Sequence, residues 1–417
     1  MRFIHLADLH LGKSLYGISM VDSGDQKFWI ESFLAQVREL APDVIVMAGD
    51  IYDRSAPPGE AVALLDFMLT QLEKMEIPVM MIAGNHDSGQ KLSFAGSILA
   101  KRQIHIAGAA EADILHVTVP EKDGSGEVTF WLLPYLFPAM AAQKLEDDSI
   151  GDYQMAVERL LKRQQIDFSK RNVLVAHQNV TAGGREAERG GSESMVGGVG
   201  QVDYKVFDGF DYVALGHIHA ACPMGRREVR YAGSPMCYHF DEARQPAKGF
   251  VFVELGKKGG DVEITQVPVK PLHPMRVVKG AADEMLDAAE NAKEEGEYLK
   301  VVVTDKRITP EFAAQIRELY GRRGSVIMEL ISEFREFSDG APLLEKQGEA
   351  KAIEEFFVDL YRERKAQAEP DEKDLLLFKF AADQVRGGGF SEKREERLDE
   401  DSTKLLHYIL RQEALKV

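Results

Sequence analysis

Short apolar runs alternate with amphipathic helical stretches over the first 85 residues of this chain. Strand-like runs at 3 to 7, 44 to 48 and 79 to 83 are separated by helical patterns at 28 to 40 and 59 to 75. Strands that alternate with helices are typical of a layered α/β fold. The later two runs end directly in polar clusters, and open α/β sheets bind ligands at the carboxyl ends of their strands. The sequence therefore predicts a sheet with a functional edge.

Composition limits the class of protein. The 417 residues predict two or three domains. A net charge of −17 argues against a general nucleic-acid binder, although metal ions and a basic partner can supply positive charge locally. No window offers the roughly 18 apolar residues of a membrane span, and MRFIHLADLHLG resembles a strand more than a signal peptide, so we expect a cytoplasmic protein. Cys222 and Cys237 are too few for a disulfide framework, and we expect reduced packing residues.

The later patterns divide the chain into three parts. The prolines of QVPVKPLHP interrupt the strands near residue 270, and strand, helix, strand, helix, strand follows from 275 to 332. From about 345 the chain is rich in Glu, Lys, Arg and Ala, with apolar residues at helical spacing. We expect domains at 1 to 270, 271 to 340 and 341 to 417, and a Gly- and Ser-rich loop at 183 to 200 near the active face.

Five segments place metal-binding side chains just beyond apolar runs. They are DLH (Asp8, His10), GDIYD (Asp50, Asp53), GNHD (Asn85, His86, Asp87), AHQ (His177) and GHIH (His217, His219). One histidine after a strand is usually a packing or capping residue, so only the full set is specific. In D-x-H and H-x-H the side chains are two apart and leave a strand end on the same face.

The donor types and their number indicate the chemistry. Carboxylate, imidazole and amide ligands together suit Mn²⁺, Fe²⁺ or Zn²⁺ better than Ca²⁺. The set exceeds the need of one ion, so two metals are expected. A metal pair activates water near neutral pH and binds the attacking and leaving oxygens of an in-line phosphoryl displacement. The sequence therefore predicts phosphoester hydrolysis.

The order of these motifs, D-x-H, GD-x-x-D, GNHD, H and GH-x-H, resembles the calcineurin-type metallophosphoesterases over residues 1 to about 255. The segments VLVAHQNVTAGG, FDGFDYVALGHIH and VRYAGSPMCYHFDE are similar to the SbcD family of bacterial double-strand-break nuclease subunits. The long C-terminal extension also fits that family. The resemblance implies a two-sheet α/β sandwich, a small α/β capping domain and a C-terminal helical segment that binds a partner.

The resemblance also implies a role for each residue of the motifs. Asp8, His10 and His219 would hold one metal, Asn85, His177 and His217 the other, and Asp50 would bridge them. His86 matches a position that contacts the scissile phosphate or assists the leaving group without binding metal. Asp87 and Asp53 are expected to orient His86 or the ligand histidines, and a simple turn role for Asp87 fits equally well.

The resemblance further implies an activity, a cofactor and partners. These are a Mn²⁺-dependent 3′ to 5′ exonuclease on duplex DNA, an endonuclease on single strands and hairpins, and an SbcC-type coiled-coil ATPase. By analogy, two copies of the chain pair through helices at 59 to 75 or 88 to 100, giving a homodimer within a heterotetramer. The segment with LLLFKF and LLHYILRQ is interpreted as the ATPase-binding site. Helices folded back on the first domain are the alternative.

Two other functions stay open. A generic phosphoesterase would act on nucleotides or phosphoproteins, but phosphoprotein members would be expected to show GNHE and a DRG context. This chain has GNHD and Asp53-Arg54-Ser55. A scaffold that has lost catalysis is opposed by the intact set of ligands.

Overall fold

The computed structural model describes residues 1–122, 124, 126–187, 200–244 and 248–334. The described residues all fall in one compact unit, Met1–Arg335. The helices predicted from 341 to 417 lie outside the described residues, as does most of the loop predicted at 183 to 200.

The elements of the first half follow the predicted alternation of strand and helix. They are β1 (Arg2–Leu6), β2 (Ser14–Leu15), β3 (Ile18–Ser19), α1 (Asp25–Leu40), β4 (Val44–Ala48), α2 (Gly59–Lys74), β5 (Val79–Ile82), α3 (Gly89–Leu92), α4 (Gly96–Leu99), β6 (Ile104–Ala107), β7 (Leu115–Pro120), β8 (Glu127–Leu133), α5 (Pro138–Leu145) and α6 (Tyr153–Arg163).

The second half of the described chain contains mostly strands. They are β9 (Asn172–His177), β10 (Val180–Thr181), β11 (Val202–Asp203), β12 (Tyr212–Gly216), β13 (Cys222–Met224), β14 (Arg226–Tyr231), β15 (Gly249–Leu255), β16 (Val262–Pro268), β17 (Met275–Gly280), β18 (Tyr298–Val303) and β19 (Val326–Ser332), with the helices α7 (Ala282–Glu290) and α8 (Pro310–Gly321). Short 3-10 turns occur at Ala100–Arg102, Tyr204–Phe207 and Phe240–Arg244.

Two six-stranded sheets pack face to face. The first has the order β16-β15-β1-β4-β5-β6 and the second β13-β14-β12-β9-β8-β7. In the first, β1, β4, β5 and β6 are parallel, and in the second β8, β9, β12 and β14 are parallel. Between the sheets the rings of Phe3, Phe130 and Tyr212 meet edge to face. The predicted two-sheet α/β architecture is confirmed.

Helices cover the outer face of each sheet. Helices α1 and α2 pack on the first sheet through side chains such as Trp29, Phe33 and Met68. Helices α5 and α6 cover the second sheet with Ala141, Val157 and related residues. Apolar side chains alternate between the central and outer cores along the inner strands, so both faces of the middle of each sheet are buried.

A third, three-stranded parallel sheet with the order β17-β18-β19 carries α7 and α8 over its own core. Its elements match the strand and helix pattern predicted from 275 to 332. It is tied to α1 through the buried Asp25 carboxylate, which accepts from the Tyr298 hydroxyl at 2.8 Å and lies 3.0 Å from His273 Nδ1. Its function as a capping domain, and the domain bounds themselves, stay predictions.

Several elements were absent from the sequence prediction, among them helices α5 and α6 and strands β13 and β16. The apolar positions of α6 recur at helical spacing, and the Asp152 side chain caps its first turn by accepting from the Met155 N–H at 2.7 Å. Cys222 and Cys237 are both free and partly buried. Within the described part of the chain, no helix combines the length and apolar character needed to cross a membrane.

Candidate metal centre

All five polar clusters meet at one end of the two sheets. Asp8 and His10 follow β1, Asp50 follows β4, and Asn85 follows β5. On the second sheet His177 is the last residue of β9, and His217 and His219 follow β12. Parallel strands bring their carboxyl ends to the same edge, and the face-to-face packing brings the two edges together.

Three buried donors form what we call the enclosed half of the centre, Asp8, His10 and His219. Their ligand atoms lie within 4.8 Å of one another, and the two Nε2 atoms of the histidines are 3.1 Å apart. Each of the three residues is at most 2% exposed. Asp8 Oδ2 is buried without a hydrogen-bond partner among the described residues. An orphaned carboxylate oxygen facing two imidazoles fits a cation.

Asn85, His177 and His217 form what we call the open half. Asn85 Oδ1 lies 3.1 Å from His177 Nε2 and 3.1 Å from His217 Nδ1. Asn85 and His217 are partly exposed. Asp50 Oδ2 is 3.4 Å from His177 Nε2 and 3.7 Å from His10 Nε2, so this carboxylate lies between the two halves.

The backbone at the ligands adopts a conformation that side-chain-bearing residues rarely take. The φ angles are 54° at Asp8, 42° at His10, 48° at Asp50 and 105° at His217. Positive φ costs of order 1–3 kcal/mol per non-glycine residue and persists where the surrounding structure enforces it. Four such residues in one cluster indicate a functional site.

Glycines allow close approach of the backbone at this end, between neighbouring loops of the first sheet at Gly84 and between the two sheets at Gly216. A Cβ on Gly84 would lie 2.1 Å from Asp50 Oδ1, and one on Gly216 would lie 1.9 Å from the Ala48 carbonyl oxygen. Neither contact is possible for real atoms, so only glycine fits at these positions.

Two histidines are oriented by backbone carbonyls. His177 Nδ1–H donates to the Ala48 carbonyl at 2.8 Å, which leaves Nε2 directed at Asn85 and Asp50. His86 Nδ1–H donates to the Asp53 carbonyl at 2.9 Å, and its Nε2 lies 4.0 Å from Asp50 Oδ2. The carbonyl partners fix the tautomer of each ring, so Nε2 carries the chemistry in both.

The two remaining carboxylates hold the loops of the centre. The Asp87 carboxylate accepts the backbone N–H groups of Ile51, Tyr52 and Gly84 at 2.8–3.0 Å. Asp53 positions His86 through its carbonyl, whereas its carboxylate lies 2.6 Å from Lys13 Nζ and 3.6 Å from His10 Nδ1. Asp53 thus contacts His86 directly through its backbone, whereas Asp87 acts through the loop backbone, and the assignment of both to the catalytic group stays a prediction.

Comparison with known proteins supports this geometry. The profile of the calcineurin-like phosphoesterases matches residues 1–221, more than half of the 417 residues. The chain belongs to this family. Residues 271–365 match a second profile, the type 5 capsule protein repressor C-terminal domain.

Individual proteins are also similar to this phosphoesterase. The SbcD component of the SbcCD nuclease of Staphylococcus epidermidis is 28% identical over 383 residues, which covers 91% of this chain and 98% of that protein. The crystal structure of a dimetal phosphatase from Danio rerio aligns with 65% of this chain and 99% of its own, at 13% identity and a TM-score of 0.34. That structural likeness is too weak to carry an argument.

Sequence reasoning missed a carboxylate of this phosphoesterase, Glu242. Its Oε1 lies 3.2 Å from His219 Nδ1, and its Oε2 lies 2.7 Å from Lys248 Nζ. Lys248 also donates to the His219 carbonyl at 2.7 Å. A ligand histidine whose second nitrogen bonds a carboxylate is a recurring arrangement in metal sites. Glu242 ends the segment VRYAGSPMCYHFDE, but nothing in that segment connects its carboxylate to His219.

The electrostatics of the centre fit divalent cations. Burial raises the pKa of Asp8 to about 7, against the opposing effect of the nearby histidines. Burial lowers the pKa of His177, but the Asp50 carboxylate outweighs this effect and raises it to about 9. Burial likewise opposes ionisation of Glu242, yet the hydrogen bond from His219 and the Lys248 ammonium lower its pKa to about 2. Buried carboxylates that need positive partners are suited to metal ions.

The donor set fits two metal ions. Each half holds two imidazoles. The enclosed half adds the carboxylate of Asp8, the open half adds the amide of Asn85, and the carboxylate of Asp50 lies within reach of both halves. The family and this cluster together indicate a dinuclear metal site.

Proposed function

We propose that this chain is a dinuclear-metal DNA nuclease subunit that works with an SbcC-type coiled-coil ATPase. The observation that carries the proposal is the convergence of Asp50 with the enclosed and open halves in a chain that aligns along nearly its whole length with a nuclease component. The proposed reactions are 3′ to 5′ exonuclease on duplex DNA and endonuclease on single strands and hairpins. Chromosomal DNA as substrate would place it in the cytoplasm, in repair, recombination and replication.

We assign the ligands as the resemblance implies. Asp8, His10 and His219 would hold one ion, Asn85, His177 and His217 the other, and Asp50 would bridge them. Mn²⁺ is the proposed metal, with Mg²⁺ as an alternative. When bound, the pair supplies an activated water and positive charge at the oxygens of the phosphate.

The residues around this pair are assigned the remaining roles in the reaction. In hydrolysis a water oxygen forms a bond to phosphorus while the bond to the leaving sugar oxygen breaks. In its doubly protonated form His86 keeps Nδ1–H on the Asp53 carbonyl and presents Nε2–H, which can donate a proton to that leaving oxygen. Asp87 holds the loops after β4 and β5 together, which fixes the distance between Asp50 and His86.

The proposed function is tested with one set of substrates. The purified full chain with Mn²⁺ is given linear duplex DNA, a chromogenic phosphodiester and a phosphopeptide, each with and without the ATPase and ATP. We expect diester hydrolysis by the chain alone and DNA degradation that depends on partner and ATP. Turnover of the phosphopeptide alone would overturn the proposal in favour of a phosphoprotein phosphatase.

The partner segment is proposed from sequence alone, since 341 to 417 lies outside the described residues. Deletion of 371 to 417 is expected to abolish association with the ATPase on a sizing column and to spare hydrolysis of the small diester. An unchanged complex would contradict this assignment.

A homodimer is supported by apolar side chains in the two ranges named for it. Phe94 is 81% exposed and Ile98 68% exposed, and Val62 on α2 is 45% exposed. Exposed apolar side chains that lie together mark association surfaces, and Phe94 and Ile98 are four residues apart in the chain. Replacement of Phe94 and Ile98 by Glu is expected to give a monomer in sedimentation velocity. Leu115→Glu, at a 42% exposed leucine on β7, is the control. A dimer that survives the double change would exclude this surface.

A further inference from the structure

We propose that Tyr135 and Phe137 form a subsite that stacks a nucleobase beside the open half of the metal centre. The proposal rests on the proposed function and names the part of the substrate that these residues bind. Together with Tyr153 they make up what we call the aromatic shelf. Its position, exposure and rigidity each point to a flat apolar ligand.

The shelf is fixed to the same edge as the ligands. Strand β8 ends at Leu133, and the Tyr135 N–H then donates to the Ala83 carbonyl at 3.0 Å, two residues before Asn85. The ring centroid of Tyr135 lies 6.1 Å from that of His177 and 6.4 Å from that of His217. The Tyr135 ring therefore borders the open half directly.

Side chains in the sequence Pro134-Tyr135-Leu136-Phe137-Pro138 alternate between core and surface. Leu136 is 1% exposed, whereas Phe137 is 37% exposed and Tyr135 is partly buried. Leu136 and Tyr153 are buried in the core between the second sheet and its helices, and Tyr135 packs against that core. More than a third of Phe137, whose ring packs against Tyr135, stays exposed.

The shelf is held in one arrangement before any ligand arrives. Phe137 meets Tyr135 edge to face at 4.8 Å, and the Tyr135 hydroxyl donates to the Tyr153 hydroxyl at 3.3 Å. The two prolines restrict the backbone on both sides. Rings that are already ordered lose little conformational entropy on binding, which favours affinity.

The chemistry of the substrate fits this placement. A phosphodiester held at the metal pair carries its sugar and base a few ångströms to one side, and the shelf borders the open half. Aromatic rings stack on every base because each base has a π-face, so binding is tolerant of sequence. A nuclease that degrades DNA of any sequence requires that tolerance.

The test compares DNA with and without bases. The full chain with Mn²⁺ and its ATPase partner cleaves a single-stranded oligonucleotide, or one of equal length made of abasic nucleotides. For Phe137→Ala we expect KM to rise about tenfold on the normal strand, with a smaller change in kcat. On the abasic strand, and on methyl para-nitrophenyl phosphate, wild type and variant are expected to behave alike.

Further variants separate stacking from folding. Phe137→Leu keeps the apolar volume and is expected to behave like Phe137→Ala, whereas Phe137→Trp is expected to restore a low KM. Phe168→Ala is the matched control, because Phe168 is 42% exposed and packs on Phe210 away from the centre. Manganese affinity, measured by calorimetry, is expected to be the same in all of them.

Two results would overturn the subsite. One is an unchanged KM of Phe137→Ala on normal DNA that wild type cleaves; the other is an equal loss on abasic and normal strands. If wild type cleaves the small diester but no DNA in any assembly, the proposed function fails as well, which distinguishes that outcome from failure of the subsite alone.

Discussion

The enclosed and open halves of the metal centre are built from similar donors but are supported differently. The enclosed half is sealed from solvent and backed by a charged pair, because Glu242 bonds His219 and Lys248 neutralises Glu242. The open half relies on a backbone carbonyl at His177 and borders the partly exposed aromatic shelf. On the proposed ligand assignment, this difference would favour firm metal binding in the enclosed half and access of substrate to the open half.

The first prediction concerns His86, which lies beside Asp50 where the two halves meet. His86→Ala is expected to lower diester hydrolysis by about 10²–10⁴-fold, because a positioned proton donor contributes about that much. Calorimetry is expected to find both metal ions still bound. His116→Ala, on strand β7, is the control. Loss of one ion in His86→Ala would show that His86 is a metal ligand, and the assignment of ligands to the two halves would then be wrong.

The second prediction isolates the support of the enclosed half. Glu242→Gln keeps the shape of the side chain but removes the charge that orients His219. We expect the affinity for one of the two ions to fall by about 10–100-fold. Glu263→Gln, at an exposed glutamate on β16, is the control. Equal weakening of both ions would show that the halves act as a single unit.

The smallest effect is expected at Tyr238, which packs edge-on against both imidazoles of the enclosed half, at 5.2 Å from His10 and 5.5 Å from His219. Its hydroxyl donates to the buried Leu9 carbonyl. Tyr238→Phe is expected to lower the free energy of unfolding by about 1 kcal/mol in urea titration, because one buried carbonyl loses its donor. Tyr16→Phe, at a 40% exposed tyrosine, is the control. A large loss of metal affinity would assign Tyr238 a direct role in the enclosed half.

Much of the fold could be predicted because its strands are buried on both faces and stand out as apolar runs. The clusters around Asp8, Asp50 and Asn85 were readable for a related reason, since the carboxyl ends of parallel strands share an edge. Helix α6 carried a readable signal in its apolar spacing and the Asp152 cap.

Other features left no local signal. Glu242 follows His219 by 23 residues, and no spacing rule connects the two. Only the fold brings the 3-10 turn Phe240–Arg244 to the back of that ring. Tyr135 likewise looks like an ordinary core aromatic until the strand order β12-β9-β8 of the second sheet sets it beside His177 and His217. Motifs identify donors at strand ends, whereas the residues that orient them depend on tertiary structure.

Each ion site draws its proposed ligands from both sheets. Asp8 and His10 come from the first sheet and His219 from the second, while Asn85 faces His177 and His217 across the same seam. A metal ion bound at either site would cross-link the two sheets. Chelation should therefore loosen the whole scaffold at that end, and the melting temperature should follow metal concentration. Loss of metal would then disturb the catalytic geometry and lower the stability of the fold at the same time.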